Sequence, residues 1–319
     1  MAADEHVDLD LLRSSARAFL AGRGEKDSIQ DLAAMDWTGL LVEDELDGAG
    51  WLPVEAVVVA EELGRAGDRS GWWGTTVAAA ALASAPDDVR DALLRTVLAG
   101  DAVVATAPDG PTVRVVGGVP DALVILGSNG VHLIESAAEL PDRPADDLLD
   151  VLRPARALEI DSVPRQLIGS PARATQLATV SRLLVSADSI GAVSSARHRL
   201  VDYLRERVAF GAALASFQAI QHRLVELLVF EVKARAIVMK GARAAAAGDA
   251  GAGALSVAAH AFVAARATGA VDECMQLSGG IGFTWEYPLH HELRRVFDNA
   301  QLMESPRSAH AHYAEAAGW

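Results

Sequence analysis

The second half of the chain constrains the fold most strongly, because apolar residues recur there at helical spacing over long stretches. One stretch runs from about residue 173 to 207 and would span roughly 50 Å as a helix. Another carries its apolar stripe from Phe217, and a third begins after the Gly- and Ala-rich break at 248–254. Long alanine-rich helices can approach each other closely, so the sequence predicts a C-terminal four-helix bundle.

The first hundred residues also show helical spacing, but in shorter segments that end at glycine clusters. Gly22 and Gly24 follow the first segment, and Gly48 and Gly50 follow the second. A third segment starts at about Pro53, where the missing N–H of proline removes no hydrogen bond of a helix. Short helices with glycine stops predict an N-terminal helical domain.

The pattern changes between about 101 and 170, where helical spacing gives way to β-branched clusters. These clusters lie at 113–116, 123–126 and 131–134, and turn residues such as Gly117-Gly118 and Ser128-Asn129-Gly130 separate them. We therefore expect a mainly α-helical protein with a small central β domain. The expected limits are 1–100 for the N-terminal helical domain, 101–172 for a reduced, barrel-like β domain and 173–319 for the bundle.

The composition disfavours several classes of protein. The chain has 51% hydrophobic and 22% charged residues, a balance typical of a folded protein with a large core. Its 28 basic and 43 acidic residues give a net charge of −15, which disfavours nucleic acid and anionic membranes as partners. The N-terminus lacks a signal-peptide pattern, and no uninterrupted apolar run reaches the ~18–20 residues of a membrane span. We expect a soluble, cytoplasmic protein.

Cysteine and histidine do not form a pattern typical of metal sites. The single cysteine, Cys274, lies on an apolar stripe and is expected to be a buried small hydrophobe. His290 and His291 are adjacent, but neighbouring residues on a helix point about 100° apart and do not converge on one ion. The same argument applies to His310 and His312, so we expect no metal site.

Two local patterns stand out in the bundle region. The first is RVAFG at 207–211 followed by FQAIQ at 217–221, where a glycine turn joins two long helices. The second is QLSGGIGF at 276–283, whose adjacent glycines at a helix end expose backbone N–H groups that can hold an anion. A charged helix end with an ordinary glycine stop also explains the first pattern. Periodicity alone does not decide whether the two patterns converge.

Together these features resemble the acyl-CoA dehydrogenase family. The order of helical region, β region and bundle is similar, and so are RxxFG…FQxIQ at 207–221 and QxxGGxGF at 276–283. MDWTGLLV at 35–42, GAG at 48–50 and AEELGRAG at 60–67 are similar to the family's first domain. The resemblance covers nearly the whole chain. It implies a flavoprotein that removes two hydrogens from the α and β carbons of an acyl-CoA thioester.

In that family FAD lies across a subunit boundary. The β domain of one subunit holds the isoalloxazine, and the bundle of its neighbour holds the pyrophosphate and adenosine. By resemblance, this second part, here called the FAD-tail half-site, consists of Arg207, Phe210, Gln218, Gln276, Gly279 and Gly280.

The β region departs from the family pattern. The segment ATAPDG at 105–110 stands where the family has a TEPxAGSD loop, and the acidic residue and serine of that loop are missing. Residues 101–170 contain no Trp, Tyr or Phe, so the aromatic residue expected beside the flavin is missing too. The resemblance therefore implies a subunit that binds the tail of FAD but not its reactive head.

Such a subunit implies an obligate partner. A paralogous acyl-CoA dehydrogenase subunit with an intact β domain would complete one FAD site per heterodimer. This arrangement resembles the heteromeric α2β2 acyl-CoA dehydrogenases of actinobacterial steroid and cholesterol degradation, in which two unlike subunits hold half the usual number of flavins. The implied substrate is an acyl-CoA, and by analogy the CoA ester of a steroid.

Glu304 is the candidate catalytic base. It stands nine residues after Arg295, in register with the family's RDAKxxxIYEGT motif, although glycine and threonine do not follow it. Some members place the base on the first bundle helix before an arginine, but here Ser181 precedes Arg182 and cannot serve, so Arg182 is interpreted as structural. Two alternatives stay open: a non-catalytic scaffold without flavin, and a homomeric enzyme that uses Glu304.

Overall fold

The structure is a computed structural model, and it describes residues 8–23, 28–143 and 150–318. The N-terminal region is helical, with one short hairpin. Its helices are α1 Leu9–Gly22, α2 Ile29–Ala33, α3 Pro53–Ala66, α4 Trp72–Ala83 and α5 Asp87–Leu98, and its hairpin pairs β1 Leu41–Val42 with β2 Gly50–Trp51. Pro53 lies in the first turn of α3, and Gly67 ends that helix with a φ of 73°.

The first bundle helix, α6 Pro171–Glu206, packs against α3 at very short range. A Cβ atom at Gly64 would overlap the backbone carbonyl of Asp188, and a Cβ at Gly191 would overlap that of Glu61. Because the overlap is with backbone rather than with a flexible side chain, both positions require glycine. This contact joins the N-terminal helices to the bundle.

The middle of the chain forms two small sheets, with strand orders β3-β5-β6-β9 and β4-β8-β7. The strands are β3 Val104–Pro108, β4 Thr112–Val116, β5 Ala122–Gly127, β6 Gly130–Ile134, β7 Asp142–Arg143, β8 Ala155–Glu159 and β9 Gln166–Gly169. Val113, Leu123 and Leu158 belong to a small separate apolar core made by both sheets. Val124 and Leu133 lie on the opposite face of their strands and pack into the main core with the helices.

The three β-branched clusters that predict strands are strands β4, β5 and β6. Asn129 lies in the tight turn between β5 and β6, and Gly130 follows with a φ of 142°. Sequence reasoning did not single out β3, β8 and β9. Their sequences, VATAP, ARALE and QLIG, contain few β-branched residues, and tertiary pairing rather than intrinsic propensity makes them strands.

The C-terminal region is a helical bundle built on α6. The remaining elements are β10 Val208–Ala209, β11 Ala212–Ala213, α7 Gln218–Ala246, α8 Ala252–Ala264, α9 Ala267–Ser278, α10 Leu289–Leu302 and α11 Pro306–Ala316. The third helix expected after residue 254 is in fact two helices, α8 and α9, which break at Ala265 and Arg266. Neither residue is a glycine or proline, so no helix-breaking residue marks the break in the sequence.

Two helical stretches, 171–206 and 252–283, are long and apolar enough to cross a membrane by length and composition alone. Within their most apolar windows, 89% of the first and 50% of the second is buried inside the protein. A core helix of a folded protein passes the same test, and α6 is such a core helix. Cys274 of α9 is completely buried, as the sequence predicts, and burial raises the pKa of its thiol to about 12.

Candidate functional site

The first motif of the FAD-tail half-site forms the turn between α6 and α7. Arg207 caps the end of α6, and β10 and β11 then form a two-residue hairpin. Phe210 and Gly211 occupy its tip with φ angles of 53° and 79°. The tip leaves Phe210 97% exposed, with its ring 6.5 Å from that of Phe217. Gln218, the residue after Phe217, begins α7.

The second motif lies at the end of α9. Gln276 is exposed in the last turn, and Gly279 ends the helix with a φ of 68°. A Cβ atom at Gly279 or at Gly280 would meet no other atom within 4 Å. The packing of this chain therefore does not require a glycine at 280, and the space on the Cβ side of its Cα is open.

Contacts among three helices bring the two motifs to one end of the bundle. Arg223 of α7 forms an ion pair with Glu273 of α9. Tyr287, just after the second motif, donates a hydrogen bond of 3.0 Å to the backbone oxygen of Arg199 on α6. Its ring centroid lies 5.9 Å from that of Tyr203, also on α6. Both motifs therefore lie around the C-terminal end of α6.

The chemistry of these residues fits the phosphate end of FAD. All members of the half-site are exposed: Arg207, Phe210, Gln218, Gln276, Gly279 and Gly280. Within the part of the chain that the structure describes, the side chains of Arg207, Gln218 and Gln276 make no hydrogen bond or ion pair. The N–H of Gly279 donates to the backbone oxygen of Gln276, but a free guanidinium and two free amides can bind a pyrophosphate and its nucleoside.

An exposed apolar surface continues from this end of the bundle along α7. Its residues recur three or four positions apart and so lie on one face of the helix: Val225, Leu228, Val229 and Val232 are 42–56% exposed. Ile281, Phe283 and Trp285, which follow the second motif, are 40–68% exposed. Exposed apolar residues grouped in this way mark an interaction surface.

Unlike the half-site, the segment at 105–110 has polar side chains that bind other groups of the chain. Thr106 in β3 is 1% exposed, and its hydroxyl donates a hydrogen bond of 2.7 Å to the backbone oxygen of Gly74 in α4. The carboxylate of Asp109 pairs with Arg165 at 2.6 Å. The polar groups of this segment are therefore engaged within the chain rather than available to a flavin.

Glu304 lies between α10 and α11 with its side chain 7% exposed. One carboxylate oxygen is 2.8 Å from Nε of Arg182, and the other is 2.5 Å from Nδ1 of His312. The hydroxyl of Ser181 donates to the backbone oxygen of Leu177 within α6. Arg182 thus holds Glu304 in place through one carboxylate oxygen, and the other oxygen faces the imidazole of His312 without a hydrogen bond.

Sequence reasoning did not identify His260, which lies beside this pair. Its side chain is 1% exposed, and its Nδ1 lies 3.5 Å from the hydroxyl of Ser186. Burial lowers the pKa of His260 to about 4, an effect that Glu304 opposes and Arg182 reinforces. Its position among the alanines and valines of α8 was the available signal, since a histidine there must be buried neutral or paired.

A buried polar network between α6 and α10 was also missed. Nε and Nη2 of Arg295 lie 2.8 and 2.5 Å from the carboxylate of Asp188, and Asn299 donates to the same carboxylate at 2.6 Å. Arg153 donates to Asn299 at 2.7 Å. Burial opposes the charge of Arg295, but Asp188 overcomes this and raises its pKa. Arg295, part of the motif that contains Glu304, therefore has a structural role.

Adjacent histidines do not point apart as expected. The ring centroids of His290 and His291 are 3.9 Å apart, because both rings pack around Trp285. Among the described residues, the carboxylates of the exposed residues Glu43, Asp44 and Glu45 form the one group of three possible ligands. Exposed carboxylates near each other are common without an ion.

Comparison with known proteins gives two family matches. Residues 7–101 match the model of the acyl-CoA dehydrogenase N-terminal domain, and residues 172–304 match that of the C-terminal domain. The acyl-CoA dehydrogenase IpdE2 of Mycobacterium tuberculosis is 32% identical over 92% of this chain and 88% of its own. IpdE2 of Mycolicibacterium smegmatis is 30% identical over 84% of this chain and 80% of its own.

Solved structures share the fold. The Tcur3481-Tcur3483 steroid ACAD, as a G363A variant, superposes with a TM-score of 0.82 at 23% identity and covers 97% of each chain. Butyryl-CoA dehydrogenase from Megasphaera elsdenii superposes over the full length of both chains with a TM-score of 0.76 at 18% identity. These findings confirm the fold inferred from the motifs: the chain belongs to the acyl-CoA dehydrogenase family.

Proposed function

We propose that this chain is one subunit of a heteromeric, FAD-dependent acyl-CoA dehydrogenase. It supplies the pyrophosphate and adenosine half of the FAD site to a paralogous subunit, which supplies the isoalloxazine half. The observation that carries the proposal is the contrast between two segments. The half-site at the end of α6 has free polar side chains on an exposed surface, whereas in the segment at 105–110 residues 105–107 are buried and the side chains of Thr106 and Asp109 bind other groups of the chain.

Each half-site residue has a distinct part in holding the cofactor. The guanidinium of Arg207 would neutralise the pyrophosphate, and the backbone N–H of Gly280 would donate to its oxygens. The amides of Gln218 and Gln276 hydrogen-bond the adenosine portion, and the Phe210 ring covers it from water. When bound, FAD would supply the acceptor for the hydride that leaves the β-carbon of the thioester. The residues of this chain fix the position of the cofactor and take no part in proton transfer.

The exposed apolar face of α7 is a further reason to propose a partner subunit. A paralogous subunit that packs on Val225, Val229 and Val232 would remove this apolar surface from water and bring its β domain to the half-site. An α2β2 assembly contains this contact twice. Within such an assembly the protein is expected to be cytoplasmic.

We assign the catalytic base to the partner. A general base must be free to take the α-proton, but Glu304 contacts both Arg182 and His312. Replacing Glu304 by Gln should therefore change the turnover of the complex by less than about threefold, a small effect beside the ~10²–10⁴-fold contribution of a general base. A loss of 100-fold or more with normal flavin content would show that Glu304 is the catalytic base and would contradict its assignment to the partner.

The resemblance to the solved steroid ACAD, which covers 97% of this chain, supports a proposal for the substrate class. We propose that the complex dehydrogenates the CoA ester of a steroid-derived acid between its α and β carbons.

The central experiment is expression of this chain alone and together with its paralogue. Native mass measurement and flavin absorbance should give one FAD per two unlike chains for the complex, and no flavin for the chain alone. A yellow homotetramer of this chain alone would contradict the proposal. A complex that forms without flavin would support the alternative of a non-catalytic scaffold.

A further inference from the structure

A cavity of about 390 Å³ lies where the end of α3, the C-terminal half of α6 and the start of α10 meet. Its volume is in the range that small-molecule sites occupy. Five arginines from separate segments line it: Arg23, Arg65, Arg69, Arg199 and Arg295. Three carboxylates also line it, those of Asp68, Asp150 and Glu292. An excess of basic side chains is unusual in a chain of net charge −15.

Two of these arginines form the walls of the cavity. Arg295 is bound by Asp188, and Arg23 lies 3.0 Å from the carboxylate of Asp68 and donates to the backbone oxygen of Ser28 at 2.8 Å. Both are nearly buried, so their charges are compensated inside the protein.

Arg65 is different, because its charge is not compensated by a direct partner. Its guanidinium contacts the hydroxyl of Ser194 at 3.2 Å and Nδ1 of His198 at 3.3 Å, neither of which is a carboxylate. Within the described residues no carboxylate lies within 4.0 Å of it. Burial, together with the charge of nearby Arg17, lowers its pKa. Glu62 and Glu231 act on it only at longer range, and a half-buried guanidinium without a direct ion pair favours an anion next to it.

Polar atoms without partners lie on the opposite wall. Glu292 accepts hydrogen bonds on one oxygen from Ser195 and Arg199, each at 3.2 Å. Its other oxygen and Nδ1 of His291 are buried and have no hydrogen-bond partner in the part of the chain that the structure describes. Burial raises the pKa of Glu292 and lowers that of His291. Such atoms are satisfied when a polar ligand or water occupies the cavity.

We propose that this cavity binds the phosphate group of a small phosphorylated molecule, with Arg65 and Arg199 as its main donors. Donors that come from different helices suit a tetrahedral anion, which accepts hydrogen bonds from several directions. A planar carboxylate is satisfied by the fork of one arginine. The site is separate from the FAD-tail half-site, because Arg207, which caps the end of α6, lies eight residues beyond Arg199, roughly 12 Å away.

Calorimetric titration of the full chain with pyrophosphate, at pH 8 and constant ionic strength, tests the proposal. Arg65→Gln and Arg199→Gln should each weaken binding about tenfold or more, since a hydrogen bond to a charged group contributes about 1.5–3 kcal/mol. Arg307→Gln, an exposed arginine at the start of α11, should leave it unchanged. Glu292→Gln should strengthen binding several-fold, because it removes a negative charge that competes for Arg199.

Three results would overturn the proposal. The first is absence of pyrophosphate binding by the unmodified chain. The second is loss of binding in Arg207→Gln with normal binding in Arg65→Gln, which would place the anion at the FAD-tail half-site. The third is tighter binding of succinate than of pyrophosphate. If Arg65→Gln fails to fold by circular dichroism, Arg65→Lys retains the charge without the fork, and a several-fold loss of affinity is expected.

Discussion

The two regions of the bundle that contain motif residues use the same side-chain chemistry in opposite ways. The carboxylate of Glu304 contacts Arg182 and His312, and the guanidinium of Arg295 contacts the carboxylate of Asp188. Around Arg207, the guanidinium and amides have no partner among the described residues. The first arrangement stabilises the fold, and the second leaves binding capacity for something outside the chain. Substitutions should therefore affect stability in one region and cofactor content in the other.

The largest change in the free energy of unfolding is expected for Asp188→Ala. It leaves the buried guanidinium of Arg295 without its carboxylate, which costs about 3–5 kcal/mol. Chemical denaturation measures this loss. Asp202→Ala on the same helix, where the side chain is 74% exposed, is the matched control and should change stability by less than about 0.5 kcal/mol. Equal effects at the two positions would contradict the role of the network.

The next largest effect depends on pH and arises at His260. Its pKa is about 4 in the folded protein and about 6.5 in the unfolded chain, so the unfolded state binds the extra proton first. Stability should therefore fall as pH decreases from about 6.5 to 4, by up to about 3 kcal/mol from this group.

His260→Leu should lack that part of the pH dependence. Denaturation curves of both proteins between pH 4.5 and 7.5 give the comparison. Parallel curves would show that His260 does not stay neutral when the protein is folded.

A smaller effect separates two neighbouring glycines. At Gly282 a Cβ atom would lie 2.5 Å from the backbone oxygen of Met275, so Gly282→Ala should cost about 1–3 kcal/mol. At Gly280 a Cβ would meet nothing within 4 Å, and Gly280→Ala should leave stability unchanged to within about 0.5 kcal/mol.

Gly280→Ala should nevertheless lower the flavin content of the complex with the partner, because the methyl group would occupy space beside the pyrophosphate. Thermal unfolding and flavin absorbance of the two variants separate these effects. Normal flavin content in Gly280→Ala would remove this glycine from the half-site.

The smallest effect on stability is expected for Arg207→Ala, which removes no contact within the described residues. The FAD affinity of the complex should fall about tenfold or more, because the pyrophosphate loses a charged hydrogen-bond donor. Arg205→Ala, two residues earlier and with a side chain 69% exposed, removes the same charge and should retain flavin. Unchanged flavin content in Arg207→Ala would contradict the proposed half-site.

The sequence predicted those parts of the fold that depend on local pattern. Strands β4, β5 and β6 follow from β-branched clusters, and the start of α3 follows from Pro53. The family was inferred from motifs that are contiguous in the chain. Strands β3, β8 and β9 lack a local signal, since their pairing partners rather than their own residues make them strands.

Long-range contacts account for most of what sequence reasoning missed. Arg182 and Glu304 are 122 residues apart, and Asp188 and Arg295 are 107 apart, so helical periodicity contains no information on either pair. No local pattern indicates the cavity beside Arg65 either, because its walls come from three helices that are far apart in the sequence. The assignment of the half-site itself rests on the flavin experiments above.

The contact of α3 with α6 has a consequence for engineering this protein. At Gly64 and Gly191 it is made by main chain against main chain, and Arg65 adds a side-chain contact to Ser194. An N-terminal domain taken from a paralogue should therefore dock on this bundle if both glycines are retained. Chimeric subunits made in this way would allow the two halves of the chain to be exchanged independently.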